Sequence, residues 1–200
     1  MSSDGANKSR RRFLTGTVSV VGGLGVVGAA VPFVKMWQPS DKAKAAGAPI
    51  EVSFDKLEPG QKLTVEWRGR PVWIIRRTQE MLDTLPAQNE RLRDPDSSNV
   101  EQQPEYARNG HRSVNPEVLV LLAVCTHLGC SPRYVPELVP QPFDPNWQGG
   151  FFCACHSSRF DLAGRVFQGV PAPSNSLVPP YAFLADGRVL IGVDPEGVLS

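Results

Sequence analysis

Apolar and polar positions divide the chain into one long apolar stretch near the N-terminus and many short apolar runs after it. Residues 13–34 contain no charged residue, and as a helix they would extend about 33 Å, enough to span a bilayer. The following stretch, 35–49, has no apolar periodicity and is rich in Pro, Ala, Gly and Lys. We therefore expect a transmembrane helix at 13–34, a flexible tether at 35–49 and one folded domain at 50–200.

Short runs of apolar and β-branched residues recur throughout the part of the chain after the tether. They predict strands at residues 50–54, 62–67, 71–76, 117–124, 181–185 and 188–193, with an Asp186-Gly187 turn between the last two. A short helix is predicted between Thr78, its N-cap, and about Leu85. Residues 86–115 are polar and are predicted to form an irregular surface excursion. The pattern indicates an all-β domain.

Positive charge is concentrated at the N-terminal end of the chain. Residues 1–12 carry a net charge of +3, from Lys8 and three arginines against Asp4, whereas the whole chain carries +1. The predicted domain is therefore mildly acidic and lacks the basic surface needed to bind phosphate backbones, which excludes nucleic acid as an expected partner.

Residues 9–14, SRRRFL, resemble a twin-arginine export signal directly before the apolar stretch. The positive-inside tendency predicts that residues 1–12 stay in the cytoplasm and that the domain lies on the periplasmic side of a bacterial inner membrane. A small-residue sequence at Gly28-Ala29-Ala30 leaves cleavage open as an alternative. We expect an uncleaved signal-anchor, because 22 apolar residues exceed the usual length of a cleaved signal.

All four cysteines lie within 31 residues, and each of two short motifs also contains a histidine. The first motif contains Cys125, His127 and Cys130, and the second contains Cys153, Cys155 and His156. A structural zinc ion needs four ligands, so these six candidates exceed a zinc site by two, although a membrane-anchored structural zinc module stays open. His111, which has no such motif, is predicted to be a solvated surface residue.

The pattern C-x-H-x-x-C followed by C-x-C-H resembles that of Rieske iron-sulfur proteins. The similarity extends to the Rieske subunits of ubiquinol–cytochrome c reductases through WRGRPV at 67–72, LRDP at 92–95 and GVPAP at 169–173. It implies an all-β Rieske domain of antiparallel sheets, with a small subdomain at about 120–175 that binds one 2Fe-2S cluster. The implied site residues are Cys125 and Cys153 on one iron, His127 and His156 on the other, and a Cys130–Cys155 disulfide.

The resemblance also implies an activity and its partners. Electrons would pass from quinol, at a cytochrome b subunit, to the haem of a membrane-anchored c-type cytochrome within a dimeric, proton-translocating complex. His156 would accept a hydrogen bond from the quinol, electron and proton uptake would be coupled at His127 and His156, and Leu128 would form the docking tip. Ser158 would donate to a bridging sulfide.

An alternative within redox chemistry is the Rieske small subunit of a periplasmic molybdenum oxidase such as arsenite oxidase, which also carries a twin-arginine signal. The hairpin around Trp67, the long region that follows it and the tether favour the quinol enzyme.

The second cluster motif departs from the family pattern at three positions. Ala154 and Ser157 stand where the family usually has Pro and Gly, and Phe160 stands where high-potential members have a tyrosine whose hydroxyl donates to a cysteine sulfur. One hydrogen bond that stabilises the reduced cluster is therefore missing.

Phe160→Tyr is expected to raise the reduction potential, because the added hydroxyl would stabilise the reduced cluster. One hydrogen bond of about 0.5–1.5 kcal/mol corresponds to roughly 20–60 mV for a one-electron couple. Protein-film voltammetry of the two chains measures this shift, and an unchanged potential would contradict the role given to this position.

Overall fold

The computed structural model describes residues 7–185 and 187–195, without the side chains of residues 42 and 46. Residues 1–6 of the predicted cytoplasmic segment, Asp186 of the predicted turn and the last five residues of the predicted domain lie outside the described residues. The chain divides into two compact units, Met1–Ala45 and Ala46–Ser200.

The N-terminal unit contains a long helix, α1, at Lys8–Met36. The side chain of Asn7 caps it by accepting hydrogen bonds from the backbone N–H groups of Ser9 and Arg10, which have no partner inside the helix. Its length and apolar composition are sufficient to cross a membrane. A six-residue helix, α2, at Asp41–Ala46 lies within the predicted tether, whose flexibility stays a prediction.

The described part of the second unit contains three antiparallel sheets of three strands each. The first has the order β1-β9-β8, the second β2-β3-β4 and the third β5-β6-β7. The strands are β1 Ile50–Ser53, β2 Lys62–Trp67, β3 Arg70–Arg76, β4 Val118–Leu122, β5 Arg133–Val135, β6 Gly150–Cys153, β7 Ser158–Phe160, β8 Tyr181–Leu184 and β9 Arg188–Ile191. The predicted all-β class and the six predicted strands are confirmed.

Burial along the strands follows their place in the sheets. Alternate residues of β2 are exposed and partly buried, as in a strand with one face toward solvent. Every residue of β4 is buried, because this apolar strand pairs with β3 and packs within the main core. β4 leads directly toward Cys125, so the first cysteine motif starts from the most buried strand of the domain.

The region between β3 and β4 contains the predicted helix, α3, at Gln79–Ala87, where the hydroxyl of Thr78 accepts the Met81 N–H. Three short 3-10 helices follow, at Asn89–Arg91, Val100–Gln102 and Glu105–Ala107. The prediction of a surface excursion is wrong for part of this region, because Ser97, Gln103, Ala107 and Arg112 are buried. Polar side chains can be buried here because other segments of the chain satisfy them.

Buried arginines connect this region to the segment after β7. Arg77 donates to the backbone oxygens of Pro116, His111 and Leu162 and to the hydroxyl of Ser113. Burial lowers the pKa of Arg77 to about 10. The guanidinium therefore joins the region before β4 to the segment after β7 through hydrogen bonds. It forms no ion pair among the described residues.

His111 is not the fully solvated residue that the sequence predicts. It is half-buried, and its Nδ1 atom is buried without a hydrogen-bond partner among the described residues. Burial, together with the nearby charges of Arg77 and Arg165, lowers its pKa. The prediction failed because the buried arginines draw this loop against the domain.

Asp161 and Arg165 form a fully buried ion pair just after β7, with 2.7 Å between the carboxylate oxygen and the guanidinium. The other Asp161 oxygen accepts the backbone N–H groups of Ala163 and Arg165. Arg165 also donates to the side chain of Asn89 and to the backbone oxygens of Leu85 and Pro95. The pair therefore joins the end of α3 to the turn that follows β7.

Asp161→Ala is expected to lower the free energy of unfolding by about 3–5 kcal/mol, because it leaves a buried guanidinium and two buried N–H groups without their acceptor. Urea denaturation followed by tryptophan fluorescence measures this loss. Glu105→Ala is the matched control, because its ion pair with Arg108 is largely exposed and should change stability by less than about 1 kcal/mol. Equal losses in the two variants would contradict this prediction.

Candidate metal centre

Two loops at one end of the domain carry the two cysteine motifs. The first loop joins β4 to β5 and the second joins β6 to β7. In the first loop the N–H of Cys125 donates to the carbonyl oxygen of Cys130 at 2.7 Å, and the Gly129 N–H donates to the Cys125 oxygen at 3.0 Å. These bonds close the motif into a tight turn, which places its cysteines at the base and Leu128 at its exposed tip.

The second loop is a short connection between paired strands. Cys153, the last residue of β6, pairs with Ser158, the first residue of β7. Gly150 begins β6 with a φ of 146°. A Cβ atom at this position would collide with the carbonyl oxygen of Phe160, so the close approach of the two strands requires glycine.

Cys130 and Cys155 form a disulfide that joins the two loops, with their Cα atoms 6.7 Å apart and a sequence separation of 25. The predicted pairing is confirmed. The first loop runs from the β2-β3-β4 sheet to the β5-β6-β7 sheet, and the second lies within the β5-β6-β7 sheet, so the bond ties the connection between the two sheets to the second loop.

The remaining two thiols and two imidazoles come together beside this disulfide. Cys125 and Cys153 are free and buried, and their side chains are in contact. The rings of His127 and His156 have centroids 4.6 Å apart and are nearly perpendicular. Cys153 is 1% exposed, whereas His156 is exposed. The site therefore has two sides: the two thiols are buried, and the two imidazoles are more exposed to solvent.

Burial raises the pKa of the Cys125 thiol, although the backbone N–H of His127 and the hydroxyl of Ser158 act in the opposite direction as hydrogen-bond donors. The neutral thiol is favoured in the cluster-free chain, so metal binding must release a proton from it.

The chemistry of these residues fits an iron-sulfur cluster with mixed cysteine and histidine ligands. The Nδ1 atom of His127 is buried and has no hydrogen-bond partner in the described part of the chain. A buried nitrogen of this kind is costly unless it has a partner, and a metal ion would provide one. The thiols of Cys125 and Cys153 are also uncommitted.

A different trio of sulfur atoms is also compact, since those of Cys130, Cys153 and Cys155 lie within 4.8 Å of one another. This trio is not a metal site, because two of its three sulfur atoms are joined in the disulfide. It shows instead that the disulfide lies directly against one of the free thiols.

Comparison with known proteins agrees with this geometry. The family description "Rieske [2Fe-2S] domain" matches residues 50–182. The chain belongs to the Rieske family. A second description, "Ubiquitinol-cytochrome C reductase Fe-S subunit TAT signal", matches residues 1–40. The resemblance found in the sequence is confirmed, and its cofactor is one Rieske-type 2Fe-2S cluster.

Relatives resemble this Rieske protein over nearly the whole chain. The "Ubiquinol-cytochrome c reductase iron-sulfur subunit" of Allochromatium vinosum is 53% identical over 97% of this chain and 93% of its own length. The subunit of the same name from Bradyrhizobium diazoefficiens is 39% identical, over 92% and 94% of the two chains. A solved chain from "Hyperthermophilic respiratory Complex III" has 26% identity and a TM-score of 0.48, over 89% of this chain and 98% of its own.

A third loop holds the two cluster loops of the Rieske domain together. The hydroxyl of Thr126 donates to the carbonyl oxygen of Ser174 at 2.7 Å. The N–H of Ala172 donates to the hydroxyl of Ser158 at 3.1 Å. The proline-rich stretch around 169–174 therefore accepts a hydrogen bond from the first loop and donates one to the end of the second, and it fixes both. The role of Thr126 was not predicted from the sequence, although a hydroxyl inside the C-x-H motif is a detectable signal.

A second group of contacts supports the strands on either side of the β6–β7 loop. It was not predicted from the sequence. The buried carboxylate of Asp144 contacts Arg91 at 2.5 Å and Arg159 at 3.2 Å. Phe143, next to Asp144, stacks on Phe152 with ring centroids 3.9 Å apart. Because Phe152 precedes Cys153 and Arg159 follows Ser158, this group fixes both strands that flank the second loop.

Phe160 is completely buried, and its ring carries no hydroxyl that could donate to a cysteine sulfur. Phe151 and Trp67 are also buried in the core.

Ser157 has a left-handed backbone conformation, with φ of 59°, between His156 and Ser158. This is the position at which the family usually has glycine, and a residue with a Cβ atom pays about 1–2 kcal/mol to adopt it. The strained residue therefore lies between His156, whose imidazole is exposed, and Ser158, whose hydroxyl contacts Cys125.

Ser157→Gly is expected to raise the free energy of unfolding by about 0.5–1 kcal/mol. Relief of about 1–2 kcal/mol of strain exceeds the extra flexibility that glycine gives the unfolded chain, about 0.4–1 kcal/mol. Thermal unfolding followed by circular dichroism measures the difference. Ala154→Gly, in the same loop but without positive φ, is the control and should destabilise the domain. A change in stability of the same sign in both variants would contradict the strain proposed at Ser157.

Proposed function

We propose that this chain is the iron-sulfur subunit of a ubiquinol–cytochrome c reductase. The observation that carries the proposal is the combination of a complete two-loop Rieske site with 53% identity to such a subunit over 97% of the chain. The match of residues 1–40 to the signal region of the same subunits supports the reductase over a molybdenum oxidase subunit. Membership of the Rieske family excludes the structural zinc module.

The proposed ligands are the thiolates of Cys125 and Cys153 on one iron and the imidazoles of His127 and His156 on the other. Their burial supports this division, because both cysteines are inside the core and His156 is exposed. A cluster held by these residues would supply a one-electron carrier between quinol and a c-type cytochrome haem. The buried cysteine side excludes water from the sulfur atoms, and the imidazole side faces outward.

His156 is proposed to receive the quinol, because its exposed imidazole can reach a substrate outside the domain. The exposed ring nitrogen would accept a hydrogen bond from the quinol hydroxyl and then take its proton. His127, half-buried next to it, would contribute to the same coupling of proton and electron.

Leu128 is proposed to be the docking tip. It is 71% exposed, which is unusual for a large apolar side chain, and it lies between His127 and Gly129 at the end of the first loop. An apolar tip beside the histidines would pack against a partner surface and exclude water during transfer. The proposed partners are a cytochrome b subunit and a membrane-anchored c-type cytochrome in a dimeric complex.

Ser158 is proposed to tune the cluster. Its hydroxyl oxygen accepts the Ala172 N–H, so its single O–H hydrogen is free to point toward the sulfur atoms. The hydrogen bond between Ser158 and Cys125 supports this orientation. Donation toward the sulfur side stabilises added negative charge and raises the potential.

The apolar helix and the family membership indicate membrane anchoring. We propose further that residues 1–12 stay in the cytoplasm, that 13–34 form an uncleaved anchor and that 50–200 lie in the periplasm. Residues 35–49 would then be the tether on which the domain moves between its partners.

Purification from membranes in mild detergent tests the function. We expect a Rieske EPR signal at low temperature together with b-type and c-type haem absorption, and quinol-dependent reduction of cytochrome c. Molybdenum without these haems would contradict the proposal and support an oxidase subunit.

The ligand set makes a separate prediction. Single substitutions of alanine for Cys125, His127, Cys153 or His156 should each remove the Rieske EPR signal, because each removes one of the four proposed ligands. The signal should persist in His111→Ala, the matched control at the third histidine of the chain. If any of the four variants retained the signal, the assignment of that residue as a ligand would be wrong.

A further inference from the structure

Cys153 lies close to a disulfide as well as to its partner thiol. Its sulfur atom and those of Cys130 and Cys155 are all within 4.8 Å of one another. Cys153 is free, whereas the other two are bonded. Cys125, the second free cysteine, is not part of this compact group. Only one of the two free thiols is therefore adjacent to both disulfide sulfurs.

A thiolate next to a disulfide can displace one of its sulfur atoms. We propose that the cluster-free chain undergoes this exchange within the site. The thiolate of Cys153 attacks the sulfur of Cys130, the Cys130–Cys153 bond forms, and the Cys130–Cys155 bond breaks. The electron pair of the broken bond leaves on the sulfur of Cys155, which takes up the proton that Cys153 lost. The reaction consumes no oxidant or reductant.

The direction of attack follows from the surroundings of the three cysteines. Cys155 is exposed, so water stabilises it as the leaving thiolate, whereas Cys130 is only half-exposed. Attack on Cys155 would instead join two cysteines separated by Ala154 alone, which leaves little freedom to reach ordinary disulfide geometry.

Chain entropy does not oppose the exchange. The native bond joins residues 25 apart, and the new bond would join Cys130 to Cys153, which are 23 apart. The loop-closure factor differs by only about 1.1-fold between the two bonds. The exchange therefore depends on the local geometry and solvation of the three sulfur atoms and not on loop length.

The exchange goes beyond the proposed function, but its consequence rests on the proposed ligand set. A chain with a Cys130–Cys153 bond has lost one of the four proposed ligands, and it cannot hold the cluster until it is reduced. Cluster insertion must then precede disulfide formation. Export of the folded, loaded chain by a twin-arginine signal satisfies this order, since the thiol of Cys153 is already committed when the disulfide forms.

Disulfide mapping of the full chain tests the proposal. The loaded chain in detergent is stripped of iron with a chelator under anaerobic conditions without added thiol. Samples are quenched with acid at intervals, alkylated with iodoacetamide after unfolding and analysed by tandem mass spectrometry. We expect alkylation of Cys155 and a Cys130–Cys153 peptide to increase together with time. Persistent Cys130–Cys155 with label only on Cys125 and Cys153 would overturn the proposal, as would a Cys153–Cys155 bond.

Two variants separate the attacking thiol from its neighbour; each lacks a proposed ligand, so both are purified without the cluster and mapped over the same time course. Cys125→Ser should still exchange, because Cys153 remains beside the disulfide. Cys153→Ser should keep the Cys130–Cys155 bond throughout. Exchange in Cys153→Ser, or its loss in a folded Cys125→Ser chain, would overturn the assignment of Cys153.

Iron and sulfide uptake, followed by visible absorption, tests the consequence separately. The fraction of chain that regains the cluster should fall in proportion to the exchanged fraction and recover after treatment with dithiothreitol. Uptake that is unaffected by exchange would contradict Cys153 as a ligand, while the mapped bonds would still support the exchange.

Discussion

The covalent bond between Cys130 and Cys155 is the interaction on which the geometry of the metal centre depends. The donor groups come from two loops, one that connects two sheets and one that lies within a sheet, and each loop is short and irregular. Without a cross-link, each loop could separate from the other at the cost of only a few hydrogen bonds. The disulfide removes that freedom and leaves two thiols and two imidazoles facing a common space. Its position beside Cys153 also gives the site a second possible chemistry when the cluster is absent.

Noncovalent contacts extend this constraint outward from the disulfide. The proline-rich loop accepts one hydrogen bond from Thr126 and donates one to Ser158, so it connects the two cluster loops. Behind the second loop, the carboxylate of Asp144 is held between Arg91 and Arg159. The deeper Asp161–Arg165 pair joins the turn after β7 to α3. Charged groups can be buried in this domain because each has several partners.

The two sides of the site differ in exposure, and this difference supports the proposed activity. Cysteine sulfur atoms in the core are protected from water, which favours electron transfer without side reactions. Imidazoles that face outward can reach a proton donor, and Leu128 offers an apolar surface beside them. A site buried on every side could not take a proton from quinol, and a fully exposed one could not control the potential of its cluster.

The sequence by itself determined the all-β class, the apolar N-terminal helix and the pairs of cysteines and histidines that make the centre. These properties depend on local order: alternation along β2, the continuous apolar run of β4 and the spacing of the two motifs. Tertiary structure decided which polar residues are buried and why. Arg112 and Asp144 look like ordinary surface charges in the sequence, and partners that satisfy them lie 9 to 53 residues away along the chain. A buried charge is favourable only when distant segments supply its hydrogen bonds, and those contacts exist only after the chain has folded.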